Sequence, residues 1–213
     1  MLAGHRSLLV DLLGHGHGDR PEDFAHMLEA HADALAAVLN AASAEGAQLI
    51  AHSMGGAVAI VLAARHPRLV SRPVLVDADL DPLPPAPGAA GSSGIGSYTE
   101  EEFRAGGWAG VRDRAGAPWW ATIRLTGRTA LSRSAVGLVA GTVPTMRELL
   151  LGLSIPCGYL LPEAEAPLPV ADALEAAGVA VLTVPGCGHT IMLDSPDGFA
   201  RATATVLAAP DAP

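Results

Sequence analysis

The sequence predicts an α/β protein in which a mostly parallel sheet is flanked by helices. Short apolar runs alternate with helical patterns, as is typical of a parallel sheet covered on both faces. The runs are apolar along their whole length rather than at every second residue, which indicates buried strands. The same alternation resumes near the C-terminus after an irregular interruption. The predicted strands are SLLVDL (7–12), AQLIAH (47–52), PVLVDA (73–78), CGYLL (157–161) and VAVLTV (179–184).

Helical patterns follow most of these runs. The first is opened by Pro21, carries apolar residues at helical spacing and is ended by Gly46. The second, MGGAVAIVLAARH, follows Ser53 directly and stops at Pro67. Two more are predicted in the C-terminal part of the chain, VADALEAAG (170–178) and a last helix that begins near Pro196.

An insertion interrupts the alternation between residues 82 and 152. It opens with PLPPAPGAAGSSGIGS (82–97), a loop sequence without periodicity. Thr99 and Glu102 then have the spacing of a capping box, which predicts that a helix starts there. The remainder of the insertion is irregular but helical in character. We therefore predict one core built from residues 1–81 and 153–213, with a helical insertion at 82–152.

Composition excludes several classes of function. The chain has 213 residues, 50% of them hydrophobic, which fits one globular domain of ordinary size. Its net charge of −9 argues against a nucleic acid or an anionic membrane as partner, because both attract basic surfaces. The two cysteines, Cys157 and Cys187, are far apart, so neither a disulfide framework nor a metal site is expected. Without a membrane-spanning run or a signal-peptide pattern, we expect a cytoplasmic protein.

Ser53 lies between a predicted strand and a predicted helix, in the stretch AHSMGGAVA. A serine hydroxyl becomes a nucleophile only when a neighbouring base accepts its proton. A sharp strand-to-helix turn would present the hydroxyl in a cleft, and small residues on either side, here Ala51 and Gly55, would relieve the crowding of the two backbones. The ordinary alternative is an N-cap serine. The helix N-terminus favours developing negative charge, and the backbone N–H of Met54 is the expected oxyanion donor.

Four stretches resemble, in order, the landmarks of the α/β-hydrolase superfamily: DLLGHGHGDRP, AHSMGGAVA, LVDADLDP and PGCGHTIMLDSPDGFA. The resemblance covers the whole chain except the insertion. It implies an α/β-hydrolase sheet, a cap over the site at residues 82–152, and a triad of nucleophile, acid and histidine. The superfamily has glycine two residues before the nucleophile, where this chain has Ala51.

The resemblance also indicates which residues act together with Ser53. His189 follows the last predicted strand and is the expected general base, because the superfamily has the order serine, acid, histidine. Asp77, at the end of the strand after the nucleophile helix, is the preferred acid. Glu165 is the alternative, since the superfamily more often places its acid at that position. His52 is expected to point away from Ser53 and to serve in packing.

The superfamily has a further strand and a His-Gly loop before the region where this chain starts. That loop carries a second oxyanion donor, and losing such a donor costs about 10²–10³ in kcat. We hypothesise that the native protein begins upstream of Met1. If it begins at Met1, the 7–12 and 47–52 strands would pair directly and activity would be weak or absent.

Two functions follow from these observations. The first is a serine hydrolase acting without a cofactor on a small, fairly apolar ester or related acyl compound. Trp108, Trp119 and Trp120 are then candidate walls of the substrate pocket, although each would serve equally well in packing. The second is a non-catalytic or truncated homologue that acts as a binding or scaffold protein. The sequence is compatible with a homo-oligomer and does not specify one.

Overall fold

Two compact units make up the computed structural model, which describes residues 5–82 and 93–209. We call residues 1–5, 36–80 and 144–213 the sheet unit, and residues 6–35 and 81–143 the helical unit. This division groups 6–35 with most of the predicted insertion, and it groups 144–152 with the sheet. A cap formed by residues 82–152 stays a prediction, and residues 83–92 of the predicted loop lie outside the described residues.

The sheet unit contains four parallel strands in the order β1-β2-β3-β4. Strands β1 and β4 have the predicted bounds, whereas β2 begins three residues before the predicted 73. Every residue of β3 is buried, as expected for an inner strand of a parallel sheet. The strands are β1 (Ala47–His52), β2 (Val70–Val76), β3 (Cys157–Pro162) and β4 (Val179–Val184).

The helices alternate with these strands and also fill the region between β2 and β3. The Thr99 capping box is present, because the Thr99 side chain accepts a hydrogen bond from the Glu102 backbone and the Glu102 side chain accepts one in return. A π-helical turn, Phe103–Gly107, joins two of the helices. The helices are α1 (Leu28–Ala41), α2 (Met54–Arg65), α3 (Glu100–Glu102), α4 (Trp108–Ile123), α5 (Arg128–Ala140), α6 (Met146–Leu151), α7 (Ala171–Ala176), α8 (Ile191–Asp194) and α9 (Pro196–Ala208).

The core of the sheet unit forms around the apolar strands. Residues 56–63 of α2 are all buried, which is why this helix is apolar on every side. An apolar cluster on the sheet contains the strand residues Val74, Val76 and Leu160. They pack with Ile191 and Val206 of the C-terminal helices. The buried guanidinium of Arg72 donates to the carbonyls of Val206 and Leu207 and so binds the end of α9 to β2. Packing on both faces of the sheet therefore fixes the ends of its strands.

The predicted strand at 7–12 is wrong. These residues form no helix or strand, and the exposed fraction of Leu9 is 96%. A strand needs hydrogen-bonding partners along its length, and no described strand pairs with this segment. Its apolar character alone could not supply that pairing.

The first predicted helix also begins later than expected. Helix α1 starts at Leu28 instead of Pro21 and ends at Ala41. The reason is His26, whose φ of 56° lies in the left-handed region and cannot continue a right-handed helix.

In the helical unit, a small apolar cluster forms around three buried residues, Ile95, Phe103 and Val111. Trp108 and Trp119 pack against this cluster. No helix in the described part of the chain is both long and apolar enough to cross a lipid bilayer.

Candidate active site

Ser53 occupies a strained turn between β1 and α2. Its backbone has φ 54° and ψ −128°, a conformation that non-glycine residues adopt only when the surrounding structure enforces it. The turn is held by the Ser53 N–H, which donates to the carbonyl of Val76 at 3.0 Å, and by the Ser53 carbonyl, which accepts from Gly56 N–H at 2.8 Å. The side chain makes no capping hydrogen bond to α2, so this serine is not an ordinary N-cap.

The Ser53 hydroxyl lies next to His189. Ser53 Oγ is 3.1 Å from His189 Nε2, and His189 Nδ1 is 2.6 Å from Asp77 Oδ2. Because a carboxylate oxygen only accepts, the Nδ1–H of His189 donates to Asp77. In the neutral ring Nε2 then carries the lone pair and can accept the proton of the Ser53 hydroxyl. The structure thus joins three residues that are 24 and 112 positions apart in the chain.

Asp77 follows the last residue of β2 and is positioned by the sheet. Its backbone has φ 43°, and its N–H donates to the carbonyl of Leu160 on β3 at 2.9 Å. The side chain is only 14% exposed, against 51% for His189. The hydrogen bond from His189 to Asp77 raises the pKa of His189 above its ordinary value, because it stabilises the charged imidazolium more than burial opposes it.

Glu165, the alternative acid, has a different position. It ends a short 3-10 turn, Glu163–Glu165, that follows β3, and its side chain is exposed. Its neighbour Glu163 accepts a hydrogen bond from Gly186 N–H at 2.8 Å and so anchors the loop that carries His189. Glu165 contributes only the last and smallest of the charges that raise the pKa of His189. The carboxylate in contact with the imidazole is that of Asp77.

The backbone crowding expected around the nucleophile turn occurs one residue later than the sequence suggested. A Cβ atom at Gly55 would meet nothing within 4 Å, whereas one at Gly56 would collide with the side chain of Ala78. Met54 is the first residue of α2, so its N–H has no carbonyl of a preceding helical turn to which it can donate. A helix N-terminus favours negative charge, and the role of this N–H as oxyanion donor stays a prediction.

His52 makes a hydrogen bond in addition to the packing role expected of it. Its Nε2 is 2.8 Å from the backbone carbonyl of His189, and the two imidazole rings lie 4.5 Å apart. The carbonyl can only accept, so His52 donates. Side chains of a strand alternate between the two faces, and that alternation gave no sign of this hydrogen bond. As the last residue of β1, His52 lies beside the loop that carries His189.

Asp79 is a second acidic residue near the site, and sequence reasoning did not assign it a role there. One of its carboxylate oxygens is buried and has no hydrogen-bond partner among the described residues. Burial raises the pKa of Asp79 to about 6, and the Asp77 charge adds to this, while the charge of His189 opposes it. The carboxylate of Asp79 thus ionises less readily than an ordinary aspartate, and it lies close to the imidazole of His189.

The three tryptophans lie in the helical unit. Trp108 and Trp120 stack with ring centroids 6.2 Å apart, and the guanidinium of Arg128 lies 4.0 Å from the Trp108 centroid. Trp108 and Trp120 also line a cavity of about 250 Å³. Trp119 packs against the apolar cluster of this unit instead. A role of these side chains in binding substrate stays a prediction.

No metal site was expected from the sequence, but the structure brings three histidines of the helical unit together. One ring nitrogen from each of His15, His26 and His31 lies within 4.8 Å of those of the other two. The cysteines do not contribute, since Cys157 and Cys187 are both free and buried.

Comparison with known proteins places the chain in a family. The model of the alpha/beta hydrolase family matches residues 2–202, and the chain belongs to this family. The 2-hydroxymuconate semialdehyde hydrolase of Pseudomonas sp. (strain CF600) is 39% identical over 71 residues, which is 33% of this chain and 25% of that protein. The esterase Rv0045c of Mycobacterium tuberculosis is 40% identical over 74 residues, 35% of this chain and 25% of that protein. The chain thus matches about a quarter of the length of these curated relatives.

Solved structures confirm the predicted α/β-hydrolase fold. The esterase EaEST from Exiguobacterium antarcticum has a TM-score of 0.75 and 16% identity, covering 93% of this chain and 80% of that protein. A thermophilic esterase from Thermogutta terrifontis has a TM-score of 0.74 and 22% identity, covering 92% of this chain and 77% of that protein. At such identities the likeness concerns the fold.

Proposed function

We propose that the protein is a serine hydrolase that cleaves a small, fairly apolar ester or related acyl compound. The observation that carries the proposal is the line of hydrogen bonds from Ser53 through His189 to Asp77, with distances of 3.1 and 2.6 Å. The strained turn at Ser53 supports it as well, since strain of this kind accumulates at reactive residues.

In the proposed reaction, Ser53 Oγ attacks the acyl carbon while His189 Nε2 takes the hydroxyl proton. The new C–O bond makes a tetrahedral intermediate, and its oxyanion receives a hydrogen bond from Met54 N–H. His189 then gives the proton to the leaving alcohol as the acyl–oxygen bond breaks. Water attacks the acyl-enzyme with His189 again as base, which releases the acid and restores Ser53. Asp77 keeps the imidazole in the required tautomer throughout.

A small acyl substrate also agrees with what related proteins are called. The relatives include an esterase and a semialdehyde hydrolase, and structures of similar fold include N-acyl homoserine lactonases. These names differ in the bond that is cleaved, so the proposal is limited to the acyl class.

The first experiment is labelling of the purified chain with a fluorophosphonate, read by intact mass beside Ser53→Ala and Ser43→Ala. Ser43 is a matched control because it too has positive φ, 51°, but lies outside the site. One adduct that persists in Ser43→Ala and disappears in Ser53→Ala is expected. Folded protein without an adduct would count against the hydrolase and in favour of the non-catalytic homologue.

A further inference from the structure

We propose that His15, His26 and His31 bind a divalent transition-metal ion, with Zn²⁺ as the ion whose ligand preference they match. The three ring nitrogens lie within 4.8 Å of one another. Zn²⁺ binds imidazole nitrogen at about 2.0–2.1 Å, which separates tetrahedral ligands by about 3.3 Å. Binding therefore requires the rings to approach by an ångström or somewhat more. A fourth position stays available for water or another ligand.

The unused hydrogen-bonding capacity of the cluster supports this site. His26 is 3% exposed and His31 is fully buried, and the Nδ1 atoms of both have no hydrogen-bond partner among the described residues. Leaving a buried polar atom unpaired costs about 1–3 kcal/mol. A cluster that existed only for packing would carry this cost twice, whereas a metal ion would use both atoms as ligands.

The outer partners of the imidazoles are also those of a metal site. His31 Nε2 is 3.4 Å from Ser134 Oγ, and His15 Nδ1 is 3.4 Å from Thr126 Oγ1. Ser134 Oγ is also 3.3 Å from His15 Nε2, so His15 would exchange one of its two hydroxyl contacts for the metal ion. The backbone of Leu13 hydrogen-bonds to the third ring, that of His26. Metal-binding histidines nearly always use their second nitrogen in this way, which fixes the tautomer and the ring orientation. Here every one of the three rings has such a partner.

Charged side chains of both signs lie near the rings. Asp11 and Glu100 are acidic, Arg20 and Arg133 are basic, and Arg133 is paired with Glu100 at 2.9 Å.

A cavity adjoins one ring of the cluster. His26 lines a cavity of about 430 Å³ in the helical unit, together with Gly14 and Ala130. Gly14 has φ 83°, and a Cβ there would collide with the His26 ring and with Ala130. The glycine thus lets the imidazole lie directly against the loop.

The test is titration of the metal-stripped, tag-free chain with Zn²⁺ in competition with a chromophoric chelator. One equivalent should bind, and His26→Gln should weaken binding by at least about a hundredfold. Ser134→Ala should weaken it by about ten- to a hundredfold, as expected for an outer partner. His17→Gln, an exposed histidine of the same loop, and Ser132→Ala, a buried serine of the same helix, should leave it unchanged.

Binding of less than a tenth of an equivalent, or equal affinity in His26→Gln, would overturn the proposal. Should a variant fail to fold, the unaltered chain provides a second measurement through Co²⁺. Intense visible absorption of a four-coordinate Co²⁺ ion supports the site, and the weak spectrum of the hexa-aqua ion contradicts it. Neither readout depends on hydrolase activity, so the result is independent of the function proposed for Ser53.

Discussion

The imidazole of His52 donates a hydrogen bond to the backbone carbonyl of His189 across 2.8 Å. This contact ties the loop that carries His189 to the end of β1, one residue before Ser53. The nucleophile turn and the imidazole that faces it are therefore connected twice, through Ser53 Oγ and through His52. The sheet therefore helps to fix the position of His189, although His189 lies on a loop.

His52 should act as a positioning residue. We expect His52→Ala to lower kcat about three- to tenfold, the value of one ordinary hydrogen bond, with little change in KM. His52→Gln should restore most of the loss, because its amide can donate to the same carbonyl. Steady-state kinetics on a short acyl ester measures both variants. Equal losses in both would show that the ring, not the hydrogen bond, matters.

Asp77 and Glu165 can be distinguished by matched substitutions. Asp77→Asn should lower kcat by about 10³–10⁴, because His189 would then favour the wrong tautomer. Glu165→Gln should leave kcat within about twofold, since this residue is exposed and the carboxylate hydrogen-bonded to the imidazole is that of Asp77. The same kinetic assay compares the two. The reverse pattern would assign the acid to Glu165.

The pH dependence of activity should report on His189. The imidazole must be neutral to accept a proton, so kcat/KM falls as pH drops through its pKa. Because the hydrogen bond to Asp77 raises that pKa, the midpoint of the acidic limb should lie above 6.5. In Asp77→Asn the residual activity should show its midpoint at lower pH. A pH–rate profile on both proteins provides the measurement, and an unmoved midpoint would contradict the assignment.

Asp79 should reduce stability at neutral pH. Its folded-state pKa, about 6, lies above its ordinary value of 3.8, so the folded state binds more protons between these two values. Stability therefore falls as pH rises from 3.8 to 6. Asp79→Asn should raise Tm at pH 8, by roughly 2–4 °C for each kcal/mol of charge burial removed, and have little effect at pH 4. Thermal melts at both pH values, with the exposed Asp172→Asn tested alongside, decide the matter.

Gly56 should tolerate substitution less well than Gly55. A Cβ at Gly56 would collide with Ala78, so Gly56→Ala should cost about 1–3 kcal/mol in the free energy of unfolding. Gly55→Ala meets no atom within 4 Å and should be neutral or stabilising, because alanine favours a helix. Denaturant unfolding of the two variants measures the difference. Similar stability of the two variants would contradict a close contact between Gly56 and Ala78.

Local pattern predicted much of the sheet. The bounds of β1 and β4 follow from their apolar runs, and Thr99 with Glu102 marked a helix start from spacing alone. Both wrong predictions depend on structure that the local pattern does not contain. The apolar run at 7–12 resembles a strand but has no described strand beside it, and the left-handed backbone at His26 delays a helix that composition alone would start earlier.

The sequence by itself determined the α/β alternation, the position of Ser53 between a strand and a helix, and the downstream His189. The first two depend on neighbours within a few residues, so a linear pattern can encode them, whereas His189 was indicated by the chain order that the resemblance implies. Only the tertiary structure decided that Asp77 contacts the imidazole, that His52 supports it, and that His15, His26 and His31 converge. Such contacts join residues from separate elements, and the packing of those elements sets their distances.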